Sequence, residues 1–337
     1  MVWEEFFLQG IKISGTGHYS PGQVLTNQNL SEFMDTNDEW ITSRTGIKQR
    51  HISEGEPAWY MAAKAAEKAL EASGTKAEEL DLILVSSTTE DFFLPSCACM
   101  VQREIGAGKC MAIDINCACS GFIYAIDMAK RYLADKDIKK VLVVASERLS
   151  KIVDYDDRTT CILFGDGAGA CVAEADDSFY TSFHGADGTG GKYLAARHMF
   201  HEPNRMIKQD LKIDDGLPDN GKSYIIQDGK EVYKFATSIL PFAVRKAAEK
   251  AGIEIDEIDY FIPHQANIRI IETAAKKLNV SMDKFIVNIA EYANTSSASI
   301  PIALDEAVRA GKIKHGDRIC LVGFGAGLTY GAVIFDY

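Results

Sequence analysis

The sequence predicts an α/β protein assembled from two similar halves. Short apolar segments alternate with amphipathic helices along the chain, which is typical of sheets covered by helices. Two segments, Asp81–Thr89 and Val141–Ser146, are almost wholly apolar at their cores, as expected of parallel strands buried on both faces. A third observation is an internal repeat, which predicts a duplication with halves over residues 1–175 and 176–337.

Composition narrows the class of protein. The chain has 337 residues, 47% of them apolar and 25% charged, which is typical of a globular protein with a large core. The net charge of −12 argues against a general nucleic-acid binder, because no positive field attracts phosphates. No apolar run is long enough to span a bilayer, so no membrane association is expected.

The start of the chain and its cysteines indicate a cytoplasmic protein. Acidic residues follow Met1 where a secretion signal requires basic ones. Eight cysteines in such a protein are expected to be reduced thiols. The pairs Cys97/Cys99 and Cys117/Cys119 lack the spacing of a zinc site, and no histidine follows at ligand distance, so we predict no metal.

Strands and helices alternate through the first half. Ile11–Thr16 alternates like a strand, and Thr26–Met34 suits a short helix. Pro57–Ser73 is alanine-rich, begins with proline and precedes Gly74, all of which favour a helix. A further helix is predicted over Pro95–Ile105.

Cys119 lies where a predicted strand passes into a helix. The free N–H groups of a helix start favour negative charge, which predicts a lowered thiol pKa and a reactive thiolate. The alternative is a buried cysteine that serves only as a small apolar residue.

Trp40 and Arg44 are four residues apart and share one face of a helix. They form either an ordinary surface pair or a platform that stacks a planar ring and contacts a phosphate.

Glycine-rich stretches occur near the end of each half. Phe164–Ala170 is predicted to be a turn leading into a strand over Ala170–Glu174. A dinucleotide loop is not expected there, because a strand follows instead of the helix that holds a pyrophosphate. Residues 323–327 are predicted to form a similar turn between strands Arg318–Val322 and Gly331–Phe335.

The second half carries two more polar candidates. Asp259–Ile262 is a short apolar strand that ends just before His264, and Asn294 begins a run of small residues before a helix over Ala303–Ala310. Other helices are predicted over Glu231–Gly252 and Ile268–Asn279, and a strand over Ile286–Asn288.

The repeat relates these elements in order. The segment from Ala65 to Val85 resembles the one from Ala247 to Pro263, and the elements that follow also agree. Ligands of such sheets collect beyond the carboxyl ends of the strands. Cys119, His264 and Asn294 each follow a predicted strand, so we expect them to meet where the halves join.

A thiol, an imidazole and a carboxamide together favour acyl transfer. Cys119 would accept an acyl group, and His264 and Asn294 would donate hydrogen bonds to a carbonyl that gains charge. Backbone N–H groups of Cys119 and of the turn at Ala326 would form a second oxyanion site. A cysteine hydrolase could use the same three residues, so residue types alone do not decide the reaction.

Six motifs carry a family resemblance over nearly the whole chain. In order they are DTNDEWIxxRTGI, ACSGF, FGDGAGA, PHQANxRI, NTSSASIP and GFGAGLTYG. Together they resemble the 3-oxoacyl-[acyl-carrier-protein] synthase III family of the thiolase superfamily. The resemblance implies a thiolase-like α/β fold, with two duplicated halves in a five-layered α-β-α-β-α arrangement, and a homodimer.

The resemblance also implies a reaction that initiates fatty acid synthesis. Cys119 takes an acyl group from a short acyl-coenzyme A (CoA). Malonyl-acyl-carrier protein (malonyl-ACP) then loses carbon dioxide, with His264 and Asn294 stabilising the enolate, and the product is a 3-oxoacyl-ACP. Both acyl-CoA and malonyl-ACP are substrates, and no cofactor is implied. Of the two neighbouring thiols, the motif selects Cys119 over Cys117.

The family pattern assigns further contacts to particular positions. Trp40 and Arg158 would hold the adenine of CoA, and Thr36, Arg44 and Asn267 would line its path. Lys234, Arg269 and Lys276 would bind the acidic carrier, and the spacing of the last two places them on one helix face.

Three positions depart from the usual pattern. Lys230 stands where many relatives have Asn, and Ala326 stands where Gly is common. Leu94 replaces a Phe that reaches across the dimer into the primer pocket, which leaves the choice among acetyl, longer and branched primers open.

Other functions remain as alternatives. A related condensing enzyme or acyltransferase of secondary metabolism would use another acyl donor. A reversible thiolase is disfavoured because residues 323–327 lack a second cysteine. A non-catalytic partner subunit would lack the nucleophile, and a redox or metal protein would bind zinc.

Overall fold

A computed structural model describes residues 10–197, 216–219 and 221–337. The strands in these residues are β1 Gly10–Tyr19, β2 Gln23–Thr26, β3 Gln49–Ile52, β4 Leu82–Ser86, β5 Met111–Ile115, β6 Lys140–Arg148, β7 Asp166–Asp176, β8 Tyr180–Ala186, β9 Leu194–Ala195, β10 Ile226–Gln227, β11 Tyr260–Pro263, β12 Arg318–Gly325 and β13 Thr329–Asp336. The helices are α1 Asn27–Leu30, α2 Asp38–Thr45, α3 Ala58–Ser73, α4 Cys97–Glu104, α5 Gly121–Tyr132, α6 Arg158–Cys161, α7 Gly229–Ala251, α8 Ile268–Leu278, α9 Ile289–Tyr292 and α10 Ser299–Arg309.

Two mixed sheets form the frame of the molecule. The first has the strand order β1-β7-β6-β4-β5, and the second has the order β11-β12-β13-β8. In the first, β4 pairs in parallel with β5 and β6, whereas β7 is antiparallel to both of its neighbours. The second sheet repeats this pattern, with β11 parallel to β12 and β13 antiparallel to both neighbours.

Helices cover both sheets and also separate them. The central core contains apolar residues of α5 and α10 together with residues of both sheets. The outer face of the first sheet packs against α3 and α4, and that of the second packs against α7 and α8. The predicted α-β-α-β-α layering is therefore confirmed. The division of the chain at residues 175 and 176 stays a prediction.

Several predicted elements are confirmed with small shifts at their ends. The alanine-rich helix begins at Ala58 and ends at Ser73, where Gly74 adopts a left-handed conformation and closes the helix. The helix that follows His264 ends in the same way at Asn279, which has a φ of 59°. The predicted final helix begins earlier than expected, at Ser299.

The glycine-rich stretch at Phe164–Ala170 was predicted to be a turn, and this prediction was wrong. Strand β7 begins at Asp166 and includes Gly167 and Gly169. A Cβ on Gly169 would lie 2.7 Å from the Cβ of Pro301 in α10. Glycine is needed here because helix α10 packs directly against the strand.

Two predictions in the second half also need correction. Strand β12 continues to Gly325, so only the residues after it form the turn predicted over 323–327. Ile286–Asn288 is not a strand. Its neighbour Phe285 forms one isolated parallel bridge with Phe261, at the position where β5 pairs with β4 in the first sheet.

We expect Gly169→Ala to destabilise the protein, because the added Cβ collides with the backbone and ring of the α10 start. Overpacking of this kind costs about 1–3 kcal/mol. Thermal unfolding of the variant should therefore occur several degrees below that of the wild type. Gly188→Ala is the matched control, because nothing lies within 4 Å of its Cβ position. Equal losses in both variants would contradict this account of the packing.

Candidate active site

Cys119 lies in a tight turn immediately before α5. The turn Ala118–Ser120 is a 3₁₀ helix that follows β5, and Ala118 has a φ of 48°, a strained value for alanine. Gly325 of β12 packs against this turn, and a Cβ there would lie 2.5 Å from the Cys119 nitrogen. Cys119 is therefore held between helix α5 and the second sheet, with 9% of its surface exposed.

His264 lies directly after β11 and is buried, with 1% of its surface exposed. Its Nδ1 shares a hydrogen bond of 2.8 Å with the hydroxyl of Ser299, the first residue of α10. The Ser299 Oγ also accepts the Gln265 N–H at 3.2 Å. The ring lies edge-on to Phe324 of β12. Two elements of the second half thus fix the orientation of the imidazole.

Asn294 is buried in the segment between α9 and α10. Its Oδ1 accepts the backbone N–H of Ser296 at 2.8 Å. Within the described residues its Nδ2 has no hydrogen-bond partner. The amide is therefore oriented by one end and has N–H groups available at the other.

The structure brings these three residues together. Cys119, His264 and Asn294 line one cavity of about 80 Å³, which also reaches Asn267 and Tyr233. Cys119 also lines a second cavity of about 420 Å³, together with Ala326 and with residues that are mainly apolar. The nucleophile candidate therefore borders both a narrow passage and a wider, mainly apolar chamber.

The protonation states of the site differ from the predicted thiolate. Burial raises the pKa of the Cys119 thiol to about 12, although a hydrogen bond with Ser296 opposes this shift. The expectation of a lowered thiol pKa was therefore wrong, because desolvation outweighs the effect of the helix start. Burial also lowers the pKa of His264 to about 3, which keeps the imidazole neutral at physiological pH.

The turn after β12 lies beside the nucleophile. Ala326 and Cys119 both line the wider cavity. Thr329 connects the two turns, because its hydroxyl oxygen lies 2.9 and 3.1 Å from the Cys117 and Ala326 carbonyl oxygens, which share its hydrogen, and accepts a hydrogen bond from the Ser120 hydroxyl. N–H groups at the start of a helical turn lack partners within the helix. The geometry thus permits the backbone oxyanion site predicted at Cys119 and Ala326.

Four of the predicted CoA residues, Trp40, Arg44, Arg158 and Asn267, lie close together. The Arg44 and Arg158 guanidinium carbons lie 4.5 and 5.0 Å from the centre of the Trp40 ring. No planar ring fits between Trp40 and Arg158 at this separation, so stacking there requires Arg158 to withdraw. Asn267 caps α8 and donates to the Arg44 carbonyl at 3.0 Å. Thr36 lies four residues before Trp40 and is half-buried. Its hydroxyl has no hydrogen-bond partner among the described residues.

The predicted carrier residues lie on two helices that pack together. Lys234 belongs to α7, and Arg269 and Lys276 belong to α8. All three are exposed, and the Tyr233 hydroxyl joins the two helices through Thr273. Lys234 lies 3.8 Å from the Glu231 carboxylate, and Arg269 donates to the Ser43 carbonyl. Lys230 is also exposed at the start of α7.

Leu94 does not line either cavity of its own chain. It is 86% exposed, and Phe93 beside it is 71% exposed. The predicted place of Leu94 in a primer pocket stays a prediction.

Sequence reasoning missed the groups that support the site. Ser299 and Ser296 were predicted only as small residues that leave room. The buried carboxylate of Glu147 was also missed. It accepts hydrogen bonds from Thr88, Thr89 and Ser297, and so joins both halves beside Cys119. A buried glutamate directly after an apolar strand was the one available signal.

Comparison with known proteins identifies the class. Residues 113–188 match the family model of 3-oxoacyl-[acyl-carrier-protein] synthase III, and residues 248–337 match the model of its C-terminal part. The chain is similar to beta-ketoacyl-[acyl-carrier-protein] synthase III of Clostridium acetobutylicum, with 46% identity over 98% of the chain and 99% of that protein. The protein of the same name from Xanthomonas campestris is 43% identical over 97% of the chain and 98% of its own length.

Solved structures agree with this result. The 3-oxoacyl-[acyl-carrier-protein] synthase III of Aquifex aeolicus VF5 superimposes with a TM-score of 0.89, at 44% identity and with 97% and 100% of the two chains covered. The chain therefore belongs to the 3-oxoacyl-[acyl-carrier-protein] synthase III family and has its thiolase-like fold. It is a condensing enzyme of the acyltransferase type. In the described residues no helix is long and apolar enough to cross a membrane.

The buried imidazole predicts how stability depends on pH. The unfolded chain protonates His264 below pH of about 6.5, whereas the folded protein keeps it neutral down to about 3. Stability is therefore lost as the pH falls through this range. Between pH 7 and pH 5 the loss due to this residue amounts to about 2 kcal/mol.

Urea unfolding of the wild type and of His264→Gln at both pH values measures this loss. The wild type should lose about 2 kcal/mol more than the variant on acidification. The same pH dependence in both proteins would show that His264 does not carry the effect.

Proposed function

We propose that this enzyme condenses a short acyl-CoA primer with malonyl-ACP through an acyl-Cys119 intermediate and so initiates fatty acid synthesis. The observation that carries the proposal is the shared cavity of Cys119, His264 and Asn294. These three side chains come from separate parts of the chain, and they offer a nucleophile and two hydrogen-bonding groups at one place. The sulfur, imidazole and amide suffice for this reaction, so no cofactor is proposed.

The first step is transfer of the acyl group. The Cys119 sulfur attacks the thioester carbonyl of acyl-CoA and forms a new carbon–sulfur bond. The bond between this carbon and the CoA sulfur breaks, and CoA leaves as a thiol that carries the proton lost by Cys119. In this proposal the N–H groups of Cys119 and Ala326, which line the same chamber, stabilise the oxyanion of the tetrahedral intermediate. The 420 Å³ chamber beside Cys119 offers apolar surface to the acyl chain.

The second step forms the carbon–carbon bond. Malonyl-ACP loses carbon dioxide, and the electron pair of the broken bond generates a thioester enolate. Hydrogen bonds from the His264 ring and the Asn294 amide stabilise its oxygen. The enolate carbon attacks acyl-Cys119, the sulfur–acyl bond breaks, and the 3-oxoacyl-ACP is released. A neutral imidazole suits this role, because it donates a hydrogen bond without placing a positive charge in the buried site.

We propose that acyl-CoA enters beside Trp40. Two guanidinium groups and an aromatic ring lie together there, which suits a planar base attached to phosphates. Asn267 lines the narrow cavity that ends at Cys119, so one path connects the entrance to the nucleophile. We propose that Thr36 and Arg44 also line this path.

The carrier protein is proposed to bind over α7 and α8. Lys234, Arg269 and Lys276 are exposed cations on a protein with a net charge of −12. Such a local positive surface attracts an acidic partner and guides its orientation. The same helices border the narrow cavity through Tyr233 and Ile270, so a carrier held there would deliver its malonyl group to Cys119.

We propose that the enzyme works as a homodimer. Strand β5 forms an edge of the first sheet, and its apolar residue Met111 is exposed. Phe92 and Leu94 are also exposed, and exposed apolar side chains that lie together normally mark a protein interface. A second copy that covers these side chains would place Leu94 in contact with the neighbouring chain, as the primer-pocket prediction requires.

Intact-protein mass spectrometry after incubation with acyl-CoA tests the nucleophile. The wild type should gain one acyl mass, and Cys119→Ala should gain none, because the attacking sulfur is gone. Cys117→Ala is the matched control and should be acylated, although Cys117 lines the same chamber. An adduct on Cys119→Ala, or its loss in Cys117→Ala alone, would overturn the assignment. A series of acyl donors in this assay also identifies the preferred primer.

A further inference from the structure

Among the described residues, the buried cation Arg50 has no carboxylate partner. The residue is fully buried, and burial lowers the pKa of its guanidinium to about 10. Its hydrogen bonds go to the Leu25 carbonyl, the Asn27 Oδ1 and the Ile162 carbonyl. A buried charge held only by neutral oxygens is costly. The contacts of Arg50 with the rest of the fold indicate what this buried charge stabilises.

One arm of the Arg50 contacts leads to α2. Arg50 Nη1 lies 2.9 Å from Asn27 Oδ1, and Asn27 is itself buried. The Asn27 Nδ2 donates to Asp38 at 2.9 Å and to the Ile47 carbonyl at 2.7 Å. Asp38 is the first residue of α2, and Ile47 follows its end. Asn27 thus holds both ends of the helix that carries Trp40 and Arg44.

The other arm leads to α6. Arg50 Nη2 donates to the Ile162 carbonyl at 2.7 Å. Ile162 caps the end of α6, which begins with Arg158. Trp40 and Arg158 are the two sides of the proposed adenine site. One guanidinium therefore bonds both to Asn27, which holds the helix of Trp40, and to Ile162, which ends the helix of Arg158. It does not itself contact Trp40 or Arg158.

We infer that Arg50 is a positioning residue for CoA, because it sets the distance between the helix of Trp40 and the helix of Arg158. This inference rests on the proposed function, since it assumes that the nucleotide binds between these helices. The planar fork of arginine is suited to the task, because its two terminal nitrogens reach opposite sides at once. A lysine at this position has a single nitrogen and would reach one side only.

The test compares two acyl donors in the full-length enzyme. One is the acyl-CoA that loads Cys119 best, and the other is the same acyl group on pantetheine, which lacks the nucleotide. We expect Arg50→Lys and Arg50→Met to lower kcat/KM for the CoA donor by about tenfold, because Trp40 and Arg158 are then no longer held at the right distance from each other. For the pantetheine donor, kcat/KM should change by less than about twofold. Equal losses with both donors, or no loss with either, would overturn the inference.

Two further variants separate damage to the fold from loss of positioning. Asn27→Ala removes the same link to α2 and should show the same donor selectivity, which keeps the test valid if the Arg50 variants do not fold. Thr16→Val removes a buried hydrogen bond to Asp305 that belongs to neither the link to α2 nor the link to α6. It should leave the ratio of the two kcat/KM values unchanged, and a fall in this ratio would contradict the inference.

Trp40→Ala distinguishes this inference from the proposed function. A loss confined to the CoA donor in Trp40→Ala, but absent from the Arg50 and Asn27 variants, would refute the positioning role alone. An unchanged ratio in Trp40→Ala would refute the proposed adenine site and the inference with it.

Discussion

The contact between two helical turns in the middle layer is the feature on which the site depends. The turn at Ala118–Ser120 precedes α5, and the turn at Ser296–Ala298 precedes α10. Ala118 and Ser296 have φ values of 48° and 51°, so both turns begin with a residue in the left-handed region. Such strain persists only where the surrounding packing enforces it. Here it turns the two helix starts towards each other and brings Cys119 close to the Asn294 segment.

Close packing and a buried carboxylate hold this contact. Gly325 allows β12 to approach the Cys119 nitrogen, and Gly169 allows α10 to lie directly on β7. Glu147 joins the loop after β4 to Ser297 in the second turn. Burial raises the pKa of this carboxyl, whereas its hydrogen bonds to Thr89 and Ser297 lower it. These groups position the reactive side chains without contacting a substrate in the proposed mechanism.

Residue types and spacing predicted sheets covered by helices and the convergence of the three candidate residues, and the family resemblance implied the five layers. They failed where tertiary packing overrides local preference. The glycines of residues 165–169 were interpreted as a turn, but they lie in a strand because a helix presses against it. The Cys119 thiol was predicted to be ionised, but desolvation in the folded protein dominates its pKa. The roles of Ser299 and Arg50 depend on contacts between distant segments, which no local pattern reveals.

His264→Ala separates the two steps of the proposed reaction, acylation of Cys119 and decarboxylation of malonyl-ACP. The measurement is the formation of acyl-Cys119 by mass spectrometry together with carbon dioxide release from malonyl-ACP by the same protein. We expect normal acylation and a fall in carbon dioxide release of about 10²–10³-fold, because one hydrogen-bond donor to the enolate is lost. Undiminished carbon dioxide release, or loss of acylation in a variant that folds normally, would contradict the role proposed for His264.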